Sequence, residues 1–199
     1  NLDLFFSTPD EVRRNLARGA RGRGAAVIEG VMGYYDGVGG GERASSWHLA
    51  QVTQTPTILV AEPKGSALTL AAVLQGLARF REPSQVRGVL LNGTTPAMAA
   101  RLSQDIQWET GLPVLGCLPR MPECAIPSRH LGLYTPGEIA DLGARMDKLA
   151  DALEQYADMD ALLAIARSAP DLEVPEEPEE TVASAGVLAV AWDEAFCFY

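Results

Sequence analysis

Two carboxylates seven residues apart are the first candidates for chemistry. In Val27-Ile28-Glu29-Gly30-Val31-Met32-Gly33-Tyr34-Tyr35-Asp36-Gly37 a short apolar run delivers Glu29, and a glycine-bearing loop then offers Asp36. Carboxylates at the exit of a buried strand can hold magnesium, directly or through water, beside a nucleotide phosphate. The plainer reading is a strand-end glutamate in a turn, with an aspartate supporting the loop, and the residues alone leave both open.

The elements that must position these groups alternate. Ala25-Ala26-Val27-Ile28, Thr57-Ile58-Leu59-Val60-Ala61, Val89-Leu90-Leu91 and Val114-Leu115-Gly116-Cys117-Leu118 are unbroken apolar runs, the pattern of strands buried on both faces of a parallel sheet. The segments 45–54, 66–80 and 96–110 read as helices between them. A further helix is expected over residues 7–22, where Ser7-Thr8-Pro9-Asp10-Glu11 carries a capping hydroxyl, a first-turn proline and two acids. Two more are expected over 136–156 and 159–167. Strand and helix in alternation predict an α/β fold, a parallel sheet with helices on both faces, in which 26–29, 57–61, 88–91 and 114–118 are neighbouring strands. Ligands of such sheets bind outside the carboxyl ends of the strands. That makes Glu29 to Asp36, Glu62 to Gly65, Asn92 to Thr95 and Pro119 onward the places to look.

Composition bounds the partners. A chain of 199 residues with 47% hydrophobic content can bury one substantial core. A net charge of −10 argues against a nucleic-acid partner, which requires clustered Lys and Arg. Six of the acids lie in the Pro- and Glu-rich run from Pro170 to Thr181, which reads as a linker. The run Gly186 to Trp192 after it reads as one more strand. No stretch of about 18 apolar residues and no signal-peptide pattern points to a membrane or to secretion. The 3 cysteines, Cys117, Cys124 and Cys197, match neither a disulfide framework nor a metal knuckle, as expected of a cytoplasmic protein. Cys117 is expected in the core, Cys124 in a loop, and Trp47, Trp108 and Trp192 as packing aromatics. The chain starts at Asn, which reads as a fragment or processed product.

Several ordered motifs carry a resemblance. IEGVMGYYDG and the helix start Ser45-Ser46-Trp47-His48 are followed by Gly88-Val89-Leu90-Leu91-Asn92 and Pro113-Val114-Leu115-Gly116-Cys117-Leu118-Pro119-Arg120. Pro127-Ser128-Arg129-His130-Leu131-Gly132-Leu133 comes next. With Asn1-Leu2-Asp3 at the start and Asp193 to Tyr199 at the end, these strings resemble the cobyrinic acid a,c-diamide synthases over nearly the whole chain. The resemblance implies a dethiobiotin synthetase-like fold within the P-loop NTPases, followed by a glutaminase domain that supplies ammonia. ATP then activates a corrin carboxylate as an acyl phosphate, and ammonia displaces phosphate to leave an amide.

On that resemblance Glu29 and Asp36 match the acidic positions near Mg2+ and the reacting phosphate, and Asn92 matches the position that reads adenine. Pro119 and Arg120 go with Asn92 as ATP-binding residues. Asp3, Tyr35, Ser45, Arg129 and His130 are candidates for the corrin substrate. For Arg129 the plainer alternative is a loop cation paired with an internal carboxylate. Residues 1–168 would be a partial synthetase domain, 169–185 the acidic linker and 186–199 the start of the glutaminase domain. Self-association is expected, since an absent first strand leaves an open sheet position.

The sequence also departs from the pattern. No GxxxxGK[ST] loop is present, and Gly37-Val38-Gly39-Gly40-Gly41 lacks the Lys and the hydroxyl residue of one. By the resemblance, an Asp is usual where Glu62 stands and an Arg is common where Gly93 stands. Cys197 falls in the opening strand of the glutaminase domain and is not its nucleophile. These departures keep in play a nucleotide-binding or scaffold module that has lost catalysis, and the sequence leaves open the same chemistry on another tetrapyrrole such as nickel sirohydrochlorin or hydrogenobyrinate.

Overall fold

The computed structural model describes residues 1–126, 134, 136–176, 186, 187 and 189–193. Its centre is a parallel sheet of three strands in the order β1-β2-β3: β1 Thr57–Ala61, β2 Val86–Asn92 and β3 Val114–Leu118. Leu59 lies beside Val89 and Ala61 beside Leu91 across the first pair; Leu91 lies beside Cys117 and Asn92 beside Leu118 across the second. The crossovers are helices, numbered here in chain order after α1 Pro9–Ala20 and α2 Ser46–Thr53: α3 Leu68–Arg79 joins β1 to β2, and α4 Pro96–Thr110 joins β2 to β3. Right-handed crossovers between adjacent strands put both helices on one face. There Leu70, Ala71 and Leu74 of α3 and Ala99, Leu102 and Ile106 of α4 close a core over Leu59, Val89, Leu91 and Cys117.

The opposite face is covered beside β3 by α5 Leu142–Tyr156 and α6 Met159–Arg167. Gly88, on the other side of β2 from Val89, leaves room there for Leu115 and for Ile165 of α6. The turn between α5 and α6 is tied to β3 by an antiparallel bridge between Gly116 and Ala157 and by Asp158 N–H donating to the Leu115 carbonyl at 2.7 Å.

Local signals set the helix ends. Thr8 and Glu11 form a reciprocal capping box with Pro9 at the first helical position, and the hydrogen bonds from Thr8 hold the Glu11 carboxyl below its usual range. Ser45 caps α2, and Thr95 caps α4, which ends on Gly111 at φ 72°. The helix expected over 136–156 begins only at Leu142, after a 3₁₀ turn at Pro136–Glu138 and a left-handed Asp141.

Two expected strands are absent. Residues 24–32 make no backbone hydrogen bond among the described residues, and Val27 is 97% exposed. An apolar run becomes a strand only when a neighbour completes its ladder. Here β1 pairs with β2 alone, so the neighbouring set holds three strands rather than four. The described part of 186–192 is likewise unpaired, with Val187 and Val190 exposed. Cys117 is in the core as expected, and burial pushes its thiol pKa up. Cys124 is buried in a 3₁₀ turn, Pro122–Cys124. Trp108 corrects the expectation of a packing aromatic: it projects from α4 at 86% exposure, and Trp192 is exposed too. No described helix is long and apolar enough to cross a membrane.

Candidate functional site

At the carboxyl ends of β2 and β3 lies an open cleft of about 380 Å³. Asn92, Pro119 and Arg120, grouped by the resemblance as one set, all line it, together with Glu62, Gly93 and Leu118. The geometry follows from register. Asn92 and Leu118 are paired across β2 and β3, and Gly93 N–H donates to the Leu118 carbonyl at 2.8 Å, so the two loops leave the sheet side by side. The turn Pro122–Cys124 and Leu149 of α5 close the far wall, which Arg145 secures by donating to the Ala125 carbonyl.

Arg120 spans the cleft's edge. Its Nε donates to the Gly93 carbonyl at 3.2 Å, and a terminal nitrogen meets Glu62 Oε1 at 3.0 Å. Gly93 sits at φ +66°, where a side chain would be strained, and a Cβ there would lie 3.3 Å from Glu62 Oε1. Glu62 and Gly93, the two positions that depart from the resembled pattern, therefore meet at one guanidinium.

The loop carrying the paired carboxylates is held elsewhere. Tyr35 packs on Tyr34, Trp47 and Phe80 with ring centroids 4.9, 5.9 and 5.1 Å away, and its hydroxyl donates to the Leu77 carbonyl at 2.6 Å. The Tyr34 hydroxyl donates to the Ser84 carbonyl at 2.5 Å, and the Trp47 indole N–H donates to the Pro83 carbonyl at 3.1 Å. Burial raises both phenol pKa values, so these groups stay protonated donors. Arg81 completes the anchor by stacking on Phe80 and pairing with Glu42 at 2.7 Å. Beyond Tyr35 the chain turns on Asp36 N–H donating to the Gly33 carbonyl at 2.9 Å, and Gly37 N–H donates to the Gly41 carbonyl at 2.7 Å.

Glu29 and Asp36 are exposed, and neither enters an ion pair among the described residues. Two uncommitted carboxylates match magnesium's habit of binding one or two carboxylates plus substrate phosphates; no described cluster of three or more acidic, His or Cys groups offers a complete cage. Neither residue lines the cleft.

The described substrate candidates each have a partner within the fold. Asp3 Oδ1 accepts from Phe5 N–H at 2.7 Å in a local turn, Ser45 is buried as the cap of α2, and Tyr35 serves the aromatic anchor. His48 Nδ1 accepts from Ala44 N–H at 3.0 Å, within the turn that leads into α2. Arg129 and His130 lie outside the described residues. Glu62, one of the strand-end positions expected to face a ligand, lines the cleft, although the sequence suggested no role for it beyond a departure from the resembled pattern.

A family model described as an AAA domain matches residues 12–128. The chain belongs to that family. The match takes in the three strands of this AAA domain, α2 to α4, α1 from its fourth residue onward, and every residue lining the cleft but Leu149. Among curated proteins the chain is 36% identical over 200 residues to the cobyrinate a,c-diamide synthase of Gloeobacter violaceus, covering 100% of itself and 44% of the relative. It is 36% identical over 204 residues to that of Listeria innocua, and 36% over 203 residues to that of Thermoplasma acidophilum, covering 45% and 44% of those proteins. The similarity suggested by IEGVMGYYDG and PSRHLGL thus runs along the whole chain, which spans less than half the length of the curated relatives it matches. No solved structure matches it significantly.

Proposed function

We propose that this chain is the nucleotide-binding synthetase portion of a glutamine-dependent cobyrinate a,c-diamide synthase, which amidates the a and c carboxylates of a corrin using ATP and glutamine-derived ammonia. The observation that carries the reading is the cleft. A similarity running along the entire chain coincides with a cleft at the carboxyl ends of parallel strands, and the cleft's donor set suits an adenine. Asn92 offers an amide that both donates and accepts, and Leu118 and Pro119 offer apolar surface beside it. Glu29 and Asp36, uncommitted, would serve Mg2+ and phosphate. ATP supplies the leaving group that makes a carboxylate reactive toward ammonia. The chain's own part is to bind and orient the nucleotide, since phosphoryl transfer depends on positioning and charge. The meeting of Glu62 and Gly93 at Arg120 favours a retained site over a decayed one, because decay scatters changes and here two are in contact.

The test is an amidation assay on the whole protein that carries this chain, with cobyrinate, glutamine and ATP. Asn92→Ala is expected to raise the KM for ATP about tenfold, with kcat within about twofold, as loss of a base contact that is equal in ground and transition states requires. An unchanged KM for ATP would remove Asn92 from the nucleotide site. Absence of corrin amidation by the unsubstituted protein would remove the substrate assignment.

The same reading takes 169–185 as a linker and 186–199 as the start of the glutaminase domain. It also takes the chain as self-associating. Among the described residues β1 has an unpaired edge, and Val60 is 66% exposed on the face away from the core, so a second strand has both a ladder and an apolar surface to join. Light scattering on the purified chain is expected to give a dimer or larger species; a strictly monomeric chain would refute it.

A further inference from the structure

Arg120 is held from two sides by groups on two other loops. Glu62 follows β1, Gly93 follows β2 and Arg120 follows β3, so a single guanidinium joins the three successive loops at the carboxyl edge of the sheet. As a stabilising device this clasp is weak, because the Arg120 and Glu62 side chains are 66% and 49% exposed and such pairs add little. Its geometric effect is larger. Two hydrogen bonds from different directions, one to Nε and one to a terminal nitrogen, fix the plane of the guanidinium as well as its position. Glycine also suits the position beside the clasp: Gly93 is at φ +66°, and a Cβ there would press on Glu62 Oε1 at 3.3 Å.

A planar cation held at the edge of a cleft that the Asn92 amide also lines has a definite use. Guanidinium stacks on aromatic faces, and an ammonium is no substitute for it where the plane matters. We infer that Glu62 is a positioning residue, which with the Gly93 carbonyl holds Arg120 as a stacking surface for the purine base whose edge Asn92 reads. Arg120 thus contacts the base and not the phosphates. The inference rests on the nucleotide reading of the cleft. Holding the side chain in place before the ligand arrives removes an ordering cost from binding.

The experiment titrates adenosine and ATP separately onto the full 199-residue chain, with thermal unfolding of each variant to confirm that it is folded. Arg120→Ala is expected to weaken adenosine and ATP alike, by about fivefold, and Arg120→Lys to behave like it. Glu62→Ala is expected to weaken both by about threefold when Arg120 is present and to have no effect in an Arg120→Ala background, the mark of acting through it. Equal effects of Glu62→Ala in the two backgrounds, or none in either, would overturn the positioning role. A loss of ATP affinity far beyond that of adenosine would overturn the stacking role and make Arg120 a phosphate contact. A wild-type chain that binds neither probe would overturn the nucleotide reading and this inference together, whereas a chain that binds both and ignores the substitutions overturns this inference alone.

Discussion

Gly116→Ala is expected to destabilise the chain by roughly 4 kcal/mol, the sum of a strained backbone and an overpacked contact. Gly116 lies within β3 at φ +124°, a conformation that side chains avoid. A Cβ there would sit 2.5 Å from the Ala157 Cα and closer still to the Tyr156 carbonyl. Those are backbone atoms at the end of α5, unable to rotate away as a side-chain tip would. They are also fixed, because the Gly116–Ala157 bridge and the Asp158-to-Leu115 hydrogen bond clamp the α5–α6 turn to β3. The damage would reach the cleft, since Leu118, Pro119 and Arg120 follow directly. Gly111→Ala is the control: its φ is +72° but nothing lies within 4 Å of the added methyl, so only the left-handed penalty of about 1–2 kcal/mol applies. Urea unfolding of both variants measures the difference. Equal losses would mean that backbone conformation alone, and not the close approach of α5, fixes the glycine in β3.

Gly116 illustrates which features a sequence exposes. The runs at Thr57, Val89 and Val114 were legible as strands because each is bounded by helices that cover it, and Thr8, Ser45 and Thr95 were legible as caps because capping is decided within four residues. Ala25-Ala26-Val27-Ile28 has the same composition as those strands, yet pairs with nothing, because strand formation is a property of two segments. The cleft was half legible. Its place at the strands' carboxyl ends follows from topology, and Asn92, Pro119 and Arg120 were found that way. The Arg120–Glu62 contact spans 58 residues, and nothing local to either one announces it. Tyr35 shows the converse. Its position in a motif marked it for a ligand, but its hydroxyl is already engaged by the Leu77 carbonyl, 42 residues away.

In the whole protein that carries this chain, Glu29→Gln is expected to cut corrin amidation about a hundredfold, the scale of losing one electrostatic partner of a reacting phosphate. The substitution keeps the side chain's shape and removes only its charge. Stability should hardly change, because Glu29 is exposed and no ion pair or buried contact depends on it. Asp36→Asn is expected to act in the same direction, leaving the turn intact, since that turn rests on the Asp36 backbone N–H and the Gly33 carbonyl rather than on the carboxylate. Asp36 follows directly on the anchor that Tyr34, Tyr35 and Trp47 make with the core, whereas Glu29 lies in the stretch that makes no backbone hydrogen bond among the described residues. If the two carboxylates act on one metal–phosphate unit, the double variant should be little worse than the worse single one, as residues that work as a unit are not additive. Steady-state rates of amide formation, with thermal unfolding of each variant in parallel, decide the matter. Wild-type turnover in Glu29→Gln would return Glu29 to an ordinary turn residue, and fully multiplicative losses in the double variant would separate the two carboxylates into independent roles.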